Sequence, residues 1–409
     1  MSAPPTLQVL LGFQTTVNFG TPFQLDNATY GLLDTGTLGG YQMVDITTMV
    51  RSVGTNRGRN RVMEQFTAGT AQLTIYDPTR LFDPVNTASI YYPYVAPRQP
   101  VQIIAGGVTI YSGYVTDWDL DYGFTTSANV TSITCADAFT ILSNQNMNAW
   151  TPTSQSSSAR VAAVLTRPEV VYQGAYSVGA GSSTLGGADV TAGTNVMSYL
   201  QNVAASEQGY LFISSTGTLT FTGRSAVLNP VSSISFTDTN GGIPYQTLKN
   251  QYGDELLYNY VQTQAPPGAV QTTSDPTSVS LYQAQQWTKL DLLNSTDTEA
   301  LALANYVLGR YKDPVLRFTG VTVQLAALSA ADQTTALSVD LTQIASVQKS
   351  YSVGTPASVT QTLIVSGIKH SITPGSHVLE YTFESTDQAA YFTLDNAIFG
   401  VLDTNLLAF

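Results

Sequence analysis

Three carboxylates, Asp117, Asp119 and Asp121, form the densest acidic cluster in the chain. A spacing of two puts all three on one face of a strand. A hand-type calcium loop starting at Asp117 would need Gly at its sixth position and an acid at its twelfth. Gly is seventh here (Gly123), and the twelfth residue is Ala128. A glycosidase pair needs two carboxylates facing each other across a cleft. Neighbours on one strand face are roughly 7 Å apart and point the same way, which leaves no room for a sugar. The cluster reads as a solvated acidic face. If that face lines a channel, it repels DNA.

A second constellation is basic. Arg51, Arg57, Arg59 and Arg61 place a quarter of the Lys and Arg residues within eleven positions. Gly54, Asn56, Gly58 and Asn60 between them predict a flexible loop. Such a loop grips an acidic partner, binds phosphate, or is simply solvated. Gly179 to Gly187 is Gly/Ser-rich but lacks the Gly-Lys-Ser/Thr of a phosphate loop. No Gly-x-Ser-x-Gly elbow is present. His370 and His377 flank Pro374-Gly375 and read as hydrogen-bonded turn residues, without a third residue in sequence to orient either as a base. Cys135 lies in a β run and reads as a small core residue. The three Trp and 23 Tyr could stack on sugars, but in an assembly protein they more often fill interfaces. These residues assign no catalysis, cofactor or metal.

Composition narrows the class further. Among 409 residues, 43% are apolar and only 11% charged, against about a quarter charged in average domains. The net charge of −12 argues against sequence-independent nucleic-acid binding, which needs a basic footprint. One Cys and two His exclude an internal disulfide framework and a three-histidine metal site. No apolar run of about 18 residues is present, so no integral membrane helix is expected. The N-terminus lacks a secretory signal pattern, and synthesis in a reducing cytoplasm is expected.

The elements that must carry these residues are mostly strands. Ala71, Leu73 and Ile75 alternate with Gln72, Thr74 and Tyr76, and Gly106-Gly107 fits a hairpin turn. Asp137 to Ser143 reads as a short closing helix. Residues 151–245 read as an α/β unit. Its helices cover Ala159 to Thr166 and a run from a Thr194 cap to about Gln208, with Gly209 at the C-terminal cap. A hairpin follows at 210–222. Residues 246–290 read as irregular. Thr296 and Glu299 form a capping-box pattern for a helix to Tyr311, with Leu301, Ala304, Leu308 and Tyr311 as its apolar stripe. Strands are expected over Leu316 to Leu325, Ala336 to Leu341, Val359 to Ile368 and His377 to Phe383. The ends of the chain repeat each other. Residues 23–40 and 392–409 are identical at ten of 18 positions, including Phe23, Leu25, Asp26, Asn27, Gly31, Leu33 and Asp34 against Phe392, Leu394, Asp395, Asn396, Gly400, Leu402 and Asp403. The repeat reads as one assembly element used at both ends, or as two similar pieces packing within one subunit.

Several motifs in order resemble the minor tail proteins of long-tailed bacteriophages, especially those infecting actinobacteria. They are Arg57-Gly58-Arg59, Ala68-Gly69-Thr70-Ala71 and Phe82-Asp83-Pro84; Tyr111, Gly113 and Trp118; Ser206-Glu207 with Gly209-Tyr210-Leu211-Phe212; Leu219-Thr220-Phe221; Gly367-Ile368; and His370 to Pro374. Thr216 departs from an Asp frequent in the family, and Asp77 from an Asn, both at turns.

The resemblance implies a mainly β chain with two tube-protein-like β-barrels and a smaller α/β region. The expected parts are an N-terminal arm (1–44), a first barrel (45–150), the α/β domain (151–245), a second barrel with a helix near 297–312 (246–390), and a docking tail (391–409). It implies a non-enzymatic, cofactor-free hub of the tail tip or baseplate, at the distal end of the virion tail. The hub would be a homotrimer, presenting six barrels to the tube. Expected partners are the distal tail or tube protein, the tape measure protein and tip proteins, with DNA passing through unbound. The alternatives are a hexameric distal tail protein and a carbohydrate-binding receptor protein.

Overall fold

The computed structural model describes residues 2–14, 41–59, 64–124, 129–224 and 232–386. Both copies of the terminal repeat, and Arg61, lie outside them.

The alternating pattern of the first half becomes seven antiparallel strands. They are β1 (Leu7–Gln14), β2 (Tyr41–Asp45), β3 (Val50–Gly58), β4 (Thr67–Tyr76), β5 (Pro100–Ala105), β6 (Val108–Asp121) and β7 (Val130–Ala136). Their order is β3-β4-β7-β6-β5-β1-β2. The segment expected to be an arm thus supplies two strands of the sheet. The basic stretch expected to be a flexible loop is strand through Gly58. Between β5 and β6, Gly106 and Gly107 take φ of +55° and +80°, the left-handed pair that a two-residue hairpin requires.

The α/β unit follows. Helix α1 (Ser157–Leu165) is capped by Ser156, and α2 (Val196–Glu207) by Asn195, whose Oδ1 accepts from Ser198 N at 3.1 Å. Asn195 takes the role expected of Thr194, in keeping with the stronger capping preference of Asn. At the other end Gln208, not Gly209, adopts the left-handed conformation (φ 53°). The hairpin β8 (Tyr210–Ile213) and β9 (Leu219–Thr222) packs below.

The second β region contains β10 (Ile234–Thr237), β11 (Thr247–Gln251), β12 (Arg317–Gln324), β13 (Ile344–Ser350), β14 (Ser358–Thr373) and β15 (Ser376–Ser385). Strand β10 pairs with β13, so the second region begins before residue 245. Two expectations fail here. Ala336 to Leu341 is not a strand: Ser329 caps a helix over Ala330–Leu337, accepting from Asp332 N, and its buried Gln333 ties the turn to Leu325. The stretch 246–290 is not irregular. Tyr260–Thr263, Gln271–Ser274 and Gln286–Lys289 form a three-stranded sheet against helix α3 (Asp297–Tyr311). These strands are short and rich in Gln and Thr, so no alternation marks them. Their stability comes from packing Val261 on Ala304, Val307 and Tyr311. The capping box at Thr296 forms, and the buried stripe of α3 is Ala300, Leu303, Ala304, Val307 and Tyr311.

Strand β14 joins the two β regions. One edge pairs with β15. The other pairs first with β13, through Ile364, and then with β3, from Gly367 to Ile372. Hydrogen bonding therefore makes one 14-stranded sheet rather than two separate ones. The handover lies at Ser366, where the β14–β15 register shifts. Gly58 sits against it with φ +109°, and a Cβ there would lie 2.2 Å from the Ser366 carbonyl oxygen, so only Gly fits. A single hydrophobic core runs beneath both regions, from Leu11, Leu73 and Ile133 to Val323, Leu379 and Phe383. Each such side chain, fully buried, contributes roughly 1.5–3 kcal/mol.

Candidate functional site

The β3–β14 ladder has a consequence for the sheet's outer face. Along the paired stretches that face solvent, inward residues alternate with outward ones, and the register keeps them aligned. One outward row runs Asp117, Thr134, Gln72, Gly54, Ser371, Val378, Gln324. The next runs Asn56, Lys369, Glu380, Thr322, Thr247. Another holds Asp119, Ser132, Thr74 and Ser52. Apart from Val378, hydroxyls, amides, glycine and charges therefore form one polar surface across eight adjacent strands, from β6 to β11.

The three sequence-predicted aspartates belong to this surface. Asp117, Asp119 and Asp121 are all exposed. The inward residues between them, Trp118 and Leu120, are half-buried, and Trp118 stacks on Phe82. Glu380 is matched by an ion pair with Lys249. Among the described residues, the three aspartates have no cationic partner. Unpaired exposed carboxylates stay hydrated and repel polyanions. No group of three His, Cys, Asp or Glu that could hold a metal occurs among the described residues.

The arginines are not brought together as a partner-gripping loop. Arg51 is exposed on β3 and stacks 4.6 Å above the Tyr76 ring. Arg57 is buried and donates to Asp340 at 2.7 Å. Arg59 pairs with the buried Glu384 of β15 and lies between the rings of Phe66 and Tyr210. Tyr210 Oη donates to the other oxygen of Glu384 at 2.9 Å. Burial, reinforced by that carboxylate, pushes the Tyr210 phenol well above its ordinary range. Arg57 and Arg59 are thus cross-braces: one joins β3 to the turn after residue 337, the other joins β3, β8 and β15.

The Gly/Ser-rich stretch has an internal use that its sequence did not reveal. Glu207, at the end of α2, is fully buried. Its carboxylate accepts from Ser182 N at 3.0 Å, Ser183 N at 2.7 Å and Ser157 Oγ at 2.8 Å. Backbone N–H groups that could have cradled a phosphate hold a side chain of the same chain instead. Arg160, also buried, donates to Tyr199 Oη and to the carbonyls of Thr153 and Gly186.

The two histidines are not turn residues. Both lie in strands, face inward and are buried, and His370 Nδ1 lies 3.0 Å from His377 Nε2. Burial lowers both ring pKa values, that of His377 to about 4. Cys135 is buried in the core, and burial pushes its thiol up to about 12, which makes it unreactive.

No protein-family profile matches the chain, and no curated protein matches it by sequence. Solved structures do match by fold. The tail protein from Neisseria meningitidis MC58 is 12% identical with a TM-score of 0.55, over 85% of this chain and 96% of that one. The 43 kDa tail protein of prophage MuSo2 from Shewanella oneidensis is 11% identical with a TM-score of 0.56, over 85% and 97%. Prophage tail protein gp18 from Listeria monocytogenes EGD-e is 8% identical with a TM-score of 0.51, over 93% and 95%. A mainly β chain with an α/β insertion, its two β regions fused in one sheet, this protein has the fold of phage tail proteins.

Proposed function

We propose that this chain is a structural hub of a phage tail tip or baseplate, a non-catalytic scaffold that joins the tail tube to the tip and surrounds the channel for DNA. The observation that carries this reading is the polar face shared by both β regions. Two regions per chain, locked side by side by the β3–β14 ladder, give three chains six β modules. Six modules suit a hexameric tube, and a closed ring of three chains is the simplest heterologous assembly that supplies them. The face is built of small hydroxyl and amide side chains, with the aspartate row at one end. Such a surface stays wet, and its few basic groups, Lys369 and the Glu380-paired Lys249, are too sparse for a basic footprint, which suits a conduit.

The partners in this reading are other tail proteins, namely the distal tail or tube protein, the tape measure protein and tip proteins. The location is the distal end of the virion tail. Light scattering on the purified protein, with negative-stain imaging, tests it. A trimer with a pseudo-sixfold outline is the expected result. A hexamer with one module per chain on the ring would replace this reading with a distal tail protein.

A further inference from the structure

We propose that the His370–His377 pair makes the joint between the two β regions acid-sensitive, so that a proton entering the pair releases β14 from β3. Among the described strands, the ladder from Val53–Gly58 to Gly367–Ile372 is the only one linking the two regions. His370 stands in it, opposite Thr55. Across the hairpin it meets His377, and the 3.0 Å separation leaves room for one shared hydrogen. Two neutral rings carry two ring hydrogens, one in this bridge and one on an outer nitrogen, so a further proton makes a buried cation. His377 Nδ1 is buried without a hydrogen-bond partner, and so is Thr55 Oγ1.

The surrounding groups offer no compensation. From β3 the nearest charge is Arg57, itself a cation. From β15 there is Tyr381, whose hydroxyl already donates to the Ala336 carbonyl. The carboxylates of this core are occupied. Asp340 holds Arg57 and Ser215 N, and Asp137 holds Gly69 N and Phe139 N. Among the described residues, the other charge bordering the rim cavity beside His377 is Arg51, also a cation. An imidazolium here is thus a buried charge beside a like charge, and it gains free energy by reaching water.

The exit is at hand. His377 borders a rim cavity of about 220 Å³, together with Pro4, Leu7, Arg51, Ile372 and Pro374. The hairpin turn at Pro374-Gly375 forms its wall. Movement of the 371–377 hairpin into this space exposes the ring and unzips the ladder from its Ile372–Val53 end.

Hydrogen exchange read by mass spectrometry, corrected for intrinsic rates, tests this on the full chain. Between pH 7.5 and 4.5, peptides spanning 50–58 and 366–377 should lose protection at least tenfold, while the β4–β7 ladder keeps its own. His377→Phe and His377→Asn should flatten that pH dependence. The chain has only two histidines, so ring ¹³C labelling of the wild type gives two signals and needs no variant. Protection should fall from about pH 6.5 and level off where the folded rings titrate, near pH 4 for His377. Seam protection that is flat with pH, rings that titrate without it, variants that keep the full loss, or loss that is equal in β4–β7 would each overturn the proposal.

Discussion

Arg57 Nη1 donates to Asp340 Oδ1 across 2.7 Å, linking residues 283 positions apart in sequence. The contact runs from β3 to the turn that precedes β13, so it ties one β region to the other. Arg57 is buried and Asp340 nearly so. Removing one member of such a pair strands the other charge, which costs about 3–5 kcal/mol. Arg57→Ala should therefore lower the urea midpoint strongly. Arg57→Met combined with Asp340→Leu should cost much less than the sum of the single changes. Additive losses would show that the pair is not a unit.

Gly58 tests the same joint through the backbone. Its positive φ and its contact with the Ser366 carbonyl leave no room for a side chain. Gly58→Ala should destabilise by more than about 2 kcal/mol, whereas Gly54→Ala, with open space around it, should cost under about 1 kcal/mol. Chemical denaturation of the two variants side by side reads the difference.

Glu207 should behave as a structural anion. Glu207→Gln keeps its size but turns one acceptor into a donor facing backbone N–H groups, with only the Ser157 hydroxyl able to accept. A loss of about 1–3 kcal/mol is expected, with faster proteolysis around 179–187. Unchanged cleavage there would mean that the loop is held by something else.

Asp137 gives a pH dependence with a definite sign. Burial raises its carboxyl to about 7, against an ordinary value of 3.8. The folded state then holds a proton that the unfolded state has lost. Its contribution is complete below pH 3.8 and disappears as pH rises through 7. Wild type should therefore lose ground to Asp137→Asn as pH is raised from 4.5 to 7.5, by at most about 1.4 kcal/mol per pH unit. The histidine pair acts in the opposite sense. Its depressed values favour the folded state above pH 6.5, and that advantage is lost as pH falls towards 4. Urea melts of wild type and Asp137→Asn at both pH values separate the two.

The aspartate row should matter little for stability. Asp117→Lys, Asp119→Lys and Asp121→Lys together should shift the melting free energy by under about 1 kcal/mol, since all three are exposed. The triple variant should gain salt-dependent binding to duplex DNA that the wild type lacks, read by fluorescence anisotropy. No gain would mean that the row does not govern how this face meets a polyanion.

The sequence alone determined what depends on neighbours along the chain. The alternation of Ala71, Leu73 and Ile75 is a local consequence of strand pleating, and the structure buries those three. The Thr296 cap needs only a residue three places on, and it forms. The outward placing of Asp117, Asp119 and Asp121 follows from the same period of two. Other features depended on residues far apart in sequence, and only the tertiary structure decided them. Gly54, Asn56 and Gly58 look like a flexible loop until β14 and β4 supply hydrogen-bond partners on both sides. Arg57 and Arg59 look free until Asp340 and Glu384 arrive from the other end of the chain. His370 and His377 look like turn residues because sequence does not show which way a strand's side chains face. Polar strands such as Gln271–Ser274 carry no periodic signal, and they form because helix α3 covers their sheet. Local geometry is written in spacing, but charge pairing and sheet joining depend on the non-local contacts that the complete fold brings together.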